Sequence, residues 1–314
     1  MQPAVGRNPA GKDTLLGSIK QHPLLYVMVL PGVVFFILFR IVPYMGSVIA
    51  WQKYSVFAGI FNSQWVGWEN FIRLFSNAGF KRAFWNTLSI AFLTLLYGFP
   101  LPILYALLVN ELTNKFFKKS FLTAIYIPHF LSWVIVGEMV YAVLHPSSGF
   151  VNLVLQSVGI DPIFFMTKGY LFKHIAALSH VWKEAGFASI VYMAAISAID
   201  PNVYEAADID GANRLQKMVR ITLPLMVPTI TIMMLLQIGM FLNVGFDHIW
   251  NLLNSVVWSD GDILSTYIYR VGLREGEYSL TTAAGLFKAV VGFVLLISFN
   301  TASQKFFGRG FFNK

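Results

Sequence analysis

The chain has 314 residues, of which 56% are hydrophobic and only 12% charged, whereas a soluble domain carries about a quarter charged residues. Its 23 Lys and Arg outnumber its 15 Asp and Glu, but the excess of +8 is spread without a dense basic run, so nucleic acid is not an expected partner. The absence of cysteine excludes thiol catalysis, thiolate zinc sites and a disulfide framework.

The first 22 residues are polar and weakly basic, with no apolar core or cleavage site of a signal peptide, and read as a cytoplasmic tail. Apolar windows of about 20 residues then predict six spans, near 23–51, 84–109, 121–144, 174–199, 225–246 and 280–299. Solid apolar runs of this length predict helices, since a membrane barrel would show alternating strands of roughly ten residues. The expected class is therefore an all-α integral membrane protein with one integral domain. In the first span, Arg40 either snorkels or faces protein or water, with Pro43 bending the segment. The outward loops carry Trp51, Tyr54, Trp65, Trp68, Trp85, Trp250 and Trp258 near helix ends, as an interfacial belt requires. Mid-span in the second segment, Gly98, Pro100 and Pro102 predict a kink, either fixed or serving as a hinge. The third span holds Glu138, the fourth Lys183 and Glu184, and the sixth Lys288; these either pair with one another or meet substrate.

Twelve positive charges lie in the N-terminal tail, the 110–120 loop, the 200–224 loop and the C-terminal tail, against eight on the other side and three within spans. Both termini are therefore expected in the cytoplasm. The division of the chain is a tail at 1–22, the first span and an external loop at 23–83, a core at 84–305, and a tail at 306–314.

The loop at 200–224 stands apart, mixing four acids and three bases with good helix formers in IDPNVYEAADIDGANRLQKMVRITLP. Pro201 marks a helix start, Asp210-Gly211 a turn in which glycine takes positive φ, and a second short helix is expected from Arg214 to Arg220 before the fifth span. Two short helices at a fixed angle form a rigid knob, and a knob of this kind fits a partner groove.

This loop resembles the EAA loop of the permease subunits of type I ATP-binding-cassette importers, in which EAA is followed by a glycine and then by LP. The matching residues are Glu205, Ala206, Ala207, Gly211, Leu223 and Pro224, and Asp210 of the turn joins them as an expected ATPase-docking residue. VGWENFIRLF, AFWNTLSIAF, HPSSGFVNLVLQSVGI and TTAAGLFKAVVGFVLLISFN extend the likeness over roughly 66–305, toward the branch that carries sugars and polysaccharide fragments. The resemblance implies the type I permease fold, a multi-pass protein of a bacterial inner membrane, and a coupling helix that docks on a separate ATPase. It also implies a second homologous permease, identical or not, two ATP-binding subunits, an extracytoplasmic solute-binding protein, a carbohydrate cargo and surrounding lipid. No G-x-x-x-x-G-K-[ST] loop is present, so ATP and magnesium are expected on the partner and no cofactor or catalytic residue on this chain.

In such permeases the fourth span after its tryptophan and the end of the fifth line the cavity. That pattern carries over to Glu184 and Phe187 after Trp182, and to Asn243, Phe246 and Asp247 in LNVGFDHIW. Lys183-Glu184 directly after the tryptophan departs from many relatives. A secondary transporter or channel would share the apolar spans but needs no ATPase-docking knob, and an importer of amino acids or phosphate would share the knob. A membrane enzyme would have only Glu138 and Glu184 to work with at depth. The intramembrane bases Arg40, Lys183 and Lys288 leave room for an acidic cargo such as an alginate or pectin fragment, unless Glu138 and Glu184 neutralise them.

Overall fold

A computed structural model describes residues 23–307. The expected tail at 1–22, and residues 308–314 of the expected C-terminal tail, lie outside the described residues. Four helices are long and apolar enough to cross a membrane, and up to six spans result if each of two bent helix pairs counts as one.

Helix α1, Pro23–Trp51, contains a π turn at Ile37–Ile41 just before Pro43, where a wider turn accommodates a ring that cannot donate a backbone hydrogen bond. Residues 23–45 bury no side chain in the rest of the chain, and Arg40 is exposed within that stretch. The end of α1 is held by a small unit that the purely helical expectation lacked: two short antiparallel strands, β1 (Gln52–Lys53) and β2 (Gln64–Trp65), followed by α2 (Glu69–Ser76). Buried Asn70 ties this unit together by donating to the carbonyls of Ala50 and Gln52, both at 2.9 Å.

Helix α3, Ala78–Glu111, starts at the Asn77 cap, whose side chain accepts from the Phe80 amide. It runs 34 residues through Pro100 and Pro102 as one span, interrupted only at Phe99, which keeps right-handed helical angles and donates to the Leu95 carbonyl. The predicted third span at 121–144 is not one helix. It is α4, Lys115–Phe130, and α5, Trp133–Leu144, bent by 108°. Pro128 tightens the last turn of α4 into a 3-10 turn, and Ser132 caps the next helix by accepting from the Ile135 amide, so chain direction changes between two completed helices. Short α6, Phe150–Ser157, is fixed by fully buried Asn152, which accepts from the Ile163 amide and donates to carbonyls including that of Ile163.

Helix α7, Gly169–Ser197, is the central pillar, packing along α3 and crossing α4 at Gly186, where an added Cβ would run into the Ile125 carbonyl. A 70° bend then leads into α8, Pro201–Ile209, whose N-cap Asp200 accepts from the Asn202 amide. The second short helix expected at Arg214–Arg220 is not separate. It is the first part of α9, Arg214–Gly239, begun by a capping box of Asn213 and Gln216. A π turn at Met218–Thr222 immediately precedes Leu223-Pro224 and lets the helix continue through the proline. Span five therefore ends at Gly239 instead of near 246, and a turn leads to α10, Phe246–Leu252. After a connecting segment of short helices, α11, Tyr278–Phe307, closes the bundle.

Three buried clusters hold these elements. One joins the C-terminal end of α1, α2 and the N-terminal ends of α3 and α11 through Ala50, Leu74, Phe80 and Ala283. A second surrounds Phe172 and Ile249, and the third packs α3, α7 and α9 through Ala106, Tyr192 and Met226.

Candidate translocation and docking sites

Two regions carry functional chemistry. The first is the knob formed by α8 and its exit turn. Good helix formers fill α8, and Gly211 ends it at φ +75°. Ala212 donates to the Ala207 carbonyl at 2.9 Å and Gly211 to the Asp208 carbonyl at 3.1 Å, a Schellman arrangement that satisfies two of the last carbonyls of the helix. Glu205, Ala206, Asp210 and Gly211 are exposed, whereas Ala207 is buried against the body of the protein. Leu223 is half-buried and exposed Pro224 lies in α9, so these two belong to the stem of the knob. Two side-chain links clamp α8 to that stem: Tyr204 Oη lies 2.9 Å from Thr222 Oγ1, and Lys217 Nζ donates to Asp208 Oδ1 at 2.6 Å.

The second region lies among α3, α7, α9 and α10. A cavity of about 240 Å³ is lined by Thr94, His180, Gln237, Asn243 and His248, among others. These side chains offer neutral donors and acceptors, which suits hydroxyl groups. His248 is almost fully buried; its Nε2 lies 3.0 Å from Ser179 Oγ, while its Nδ1 has no hydrogen-bond partner among the described residues. Trp133 packs against both histidines, with ring centroids 5.7 Å from His180 and 4.3 Å from His248, and the two imidazoles lie 5.5 Å apart.

The five candidate substrate residues do not form one patch. Glu184 and Phe187 both meet His129: Glu184 Oε2 lies 2.7 Å from His129 Nδ1, and the Phe187 ring stacks on the imidazole at 4.0 Å with a 4° tilt. Lys183 Nζ donates to Glu184 Oε1 at 2.9 Å and to the His129 carbonyl at 2.8 Å, and stands 4.9 Å from the Trp133 ring centre. Of the four charged residues expected to pair across the bundle, only Lys183 and Glu184 pair among the described residues, and they are neighbours on α7; Glu138 is exposed and outside this network. Asn243 lines the cavity and also a neighbouring crevice of about 420 Å³ along α11. Phe246 points elsewhere, into a cluster with Trp250 and Tyr269, and Asp247 is exposed.

Sequence reasoning did not single out His129, Trp133, His180 or His248 as site residues. The available signal was the four-residue helical step between His180 and Glu184, which places both on one face of α7. It also missed the external brace. Asp262 accepts from Arg270 at 3.0 Å and from Thr266 at 2.6 Å, and Arg270 also donates to Glu275 at 3.0 Å. Burial opposes the Arg270 charge, but the Asp262 carboxylate and then Glu275 outweigh it and hold the guanidinium above its ordinary range.

Against this geometry, residues 98–308 match the family described as the binding-protein-dependent transport system inner membrane component. The polygalacturonan/rhamnogalacturonan transport system permease protein YteP of Bacillus subtilis (strain 168) is 43% identical over 301 residues, covering 96% of this chain and 94% of the relative. Protein LplB of the same organism is 38% identical, covering 96% of each. Among solved structures, a chain of a bacterial alginate ABC transporter in complex with alginate pentasaccharide-bound periplasmic protein aligns with a TM-score of 0.86 at 42% identity. The alignment covers 94% of this chain and 99% of that one.

Proposed function

This chain belongs to the family of binding-protein-dependent transport system inner membrane components, and from that premise we propose that it forms half of the path of an ATP-binding-cassette importer for acidic oligosaccharides. The observation that carries the proposal is mechanical continuity. The exposed knob is clamped through Tyr204–Thr222 and Lys217–Asp208 to the base of α9, and the far end of α9 walls the polar cavity with Gln237. A push on α8 thus moves one wall of the cavity as a rigid lever. The cargo class follows from the relatives that carry pectin-type chains and from the alginate importer.

In this reading the knob sits on the cytoplasmic side, where most of the positive charge lies, and both termini share that side. Glu205, Ala206, Asp210 and Gly211 present the docking surface to one of two separate ATPase subunits, which hold ATP and magnesium, and buried Ala207 seats the knob on the body of the protein. Leu223 and Pro224 transmit its motion. A second permease completes the pore, and a solute-binding protein delivers sugar to the opposite face. Asn243 meets cargo hydroxyls in the cavity. Glu184 and Phe187 act beside it through His129, while Phe246 and Asp247 lie toward the entrance. A secondary transporter would leave the clamped knob without a task.

The test is reconstitution of the complete importer in proteoliposomes with its binding protein. Oligogalacturonide or alginate oligosaccharide is expected to raise ATP hydrolysis and to accumulate inside, while this chain purified alone turns over no ATP. Stimulation by neutral oligosaccharides only would refute the acidic cargo, and turnover by the isolated chain would refute the division of labour.

A further inference from the structure

Three basic residues lie within the membrane-spanning part, and the structure separates their circumstances. Arg40 belongs to the stretch of α1 that buries nothing in this chain. Lys183 is buried and neutralised by Glu184, with its remaining donors directed at the His129 carbonyl and the Trp133 face. Lys288, midway along α11, is half-buried, and its one hydrogen bond among the described residues is a long one to Ser265 Oγ at 3.5 Å. No carboxylate among the described residues pairs with it. An ammonium at this depth is costly to leave without a counter-charge.

Its surroundings show what kind of group could supply that charge. Lys288 lines the crevice of about 420 Å³ together with Gly239, Leu242 and Asn243 at the end of α9 and Gly285 and Gly292 on α11. A Cβ added at Gly285 or Gly292 would meet nothing within 4 Å, so the crevice has room beside the ammonium. Asn243 is the residue shared with the adjoining cavity that holds His180, Gln237 and His248. The sequence from crevice to cavity is therefore cation, amide, then neutral hydrogen-bonding groups. That order matches a sugar ring bearing a carboxylate at one end and hydroxyls along the rest. A lysine suits a moving ligand, because a compact point charge on a flexible stem keeps contact through a range of positions and releases more readily than a bidentate fork.

We infer that Lys288 is the charge-selecting residue of the translocation path, receiving a uronate carboxylate of the passing chain while Asn243 takes a neighbouring hydroxyl. This rests on the acidic-oligosaccharide reading above. The experiment uses the complete importer in proteoliposomes with binding protein saturated by trigalacturonate, comparing wild type, Lys288→Gln and Lys288→Arg for co-purification, stimulated ATP hydrolysis and uptake. The expected result is that Lys288→Gln assembles and hydrolyses ATP as wild type does but takes up about tenfold less sugar per ATP, and that Lys288→Arg recovers most of the loss. Wild-type uptake by Lys288→Gln would overturn the assignment, as would an equal fall in uptake and hydrolysis, which marks a structural role. Failure of Lys288→Gln to co-purify with the second permease would assign the counter-charge to that subunit and likewise overturn it. If wild type itself imports no trigalacturonate, the cargo reading fails, independently of Lys288.

Discussion

Replacing Gly211 by valine tests the docking knob at the point where its geometry depends on one backbone angle. Gly211 sits at φ +75° with nothing within 4 Å of a Cβ built upon it, so the substitution meets no steric obstacle in this chain and its cost is conformational. A residue with a Cβ in the left-handed region costs about 1–2 kcal/mol, and a β-branched one stands at the upper end. Should the turn relax instead, it loses the 2.9 Å hydrogen bond from Ala212 to the Ala207 carbonyl, worth about 1 kcal/mol net. By either route, about 1–2 kcal/mol disfavours the knob that docks, which corresponds to roughly five- to thirtyfold in apparent affinity. The spans are untouched, because Gly211 is exposed and lies beyond the ends of α7 and α9. Gly211→Asn separates angle from bulk, since asparagine tolerates positive φ better than valine. The assay titrates the ATPase subunits onto permease complexes held in nanodiscs, with uptake measured at matched membrane levels. Valine is expected to weaken binding by about the stated factor and asparagine by a few-fold. Normal ATPase affinity and normal uptake for Gly211→Val would refute the coupling role of this turn. Equal damage from both substitutions would refute the backbone-angle argument.

Two further outcomes follow from other parts of the molecule. The chain has no cysteine background, so single cysteines at exposed Asn62 and Lys119 report sidedness; an impermeant thiol reagent applied to intact cells is expected to label position 62 and spare 119, and the reverse pattern would invert the orientation. Asp262→Asn removes the buried carboxylate of the external brace, but Arg270 keeps Glu275 and its side chain is 29% exposed. The loss is therefore expected to be about 1–3 kcal/mol, below that of a fully buried pair. Thermal unfolding in detergent is expected to fall by several degrees, and an unchanged midpoint would show that the brace contributes nothing to stability.

Much of the architecture was legible because its determinants are local in the chain. Apolar runs of bilayer length locate the spans, and EAADIDG specifies a short helix and a left-handed exit turn. Direction changes were less visible. Hydropathy over 121–144 is continuous, yet Pro128 ends one helix and Ser132 caps the next, so the segment bends by 108°. Conversely, a short helix at Arg214–Arg220 was expected apart from the fifth span, but the π turn at Met218–Thr222 carries α9 through Pro224 and makes the two one continuous helix. Hydropathy averages over a window and carries no information about axis direction, whereas caps and wide turns act at single residues.

The sequence by itself determined the helical membrane class, the family likeness, the knob and its glycine turn. Only the tertiary structure decided how the polar groups at depth are divided. Lys183 and Lys288 are the same residue type on apolar helices, yet crossing of α7 with α4 brings His129 beside Lys183 and Glu184, while α11 faces glycine-lined space across from Asn243. Glu184, Asn243 and Phe246 were grouped by pattern but separated by the turn after Gly239 and by the direction of α10. Whether a charge is neutralised is set by which groups from other helices come within a few ångströms, and that depends on crossing geometry and not on neighbours in the chain.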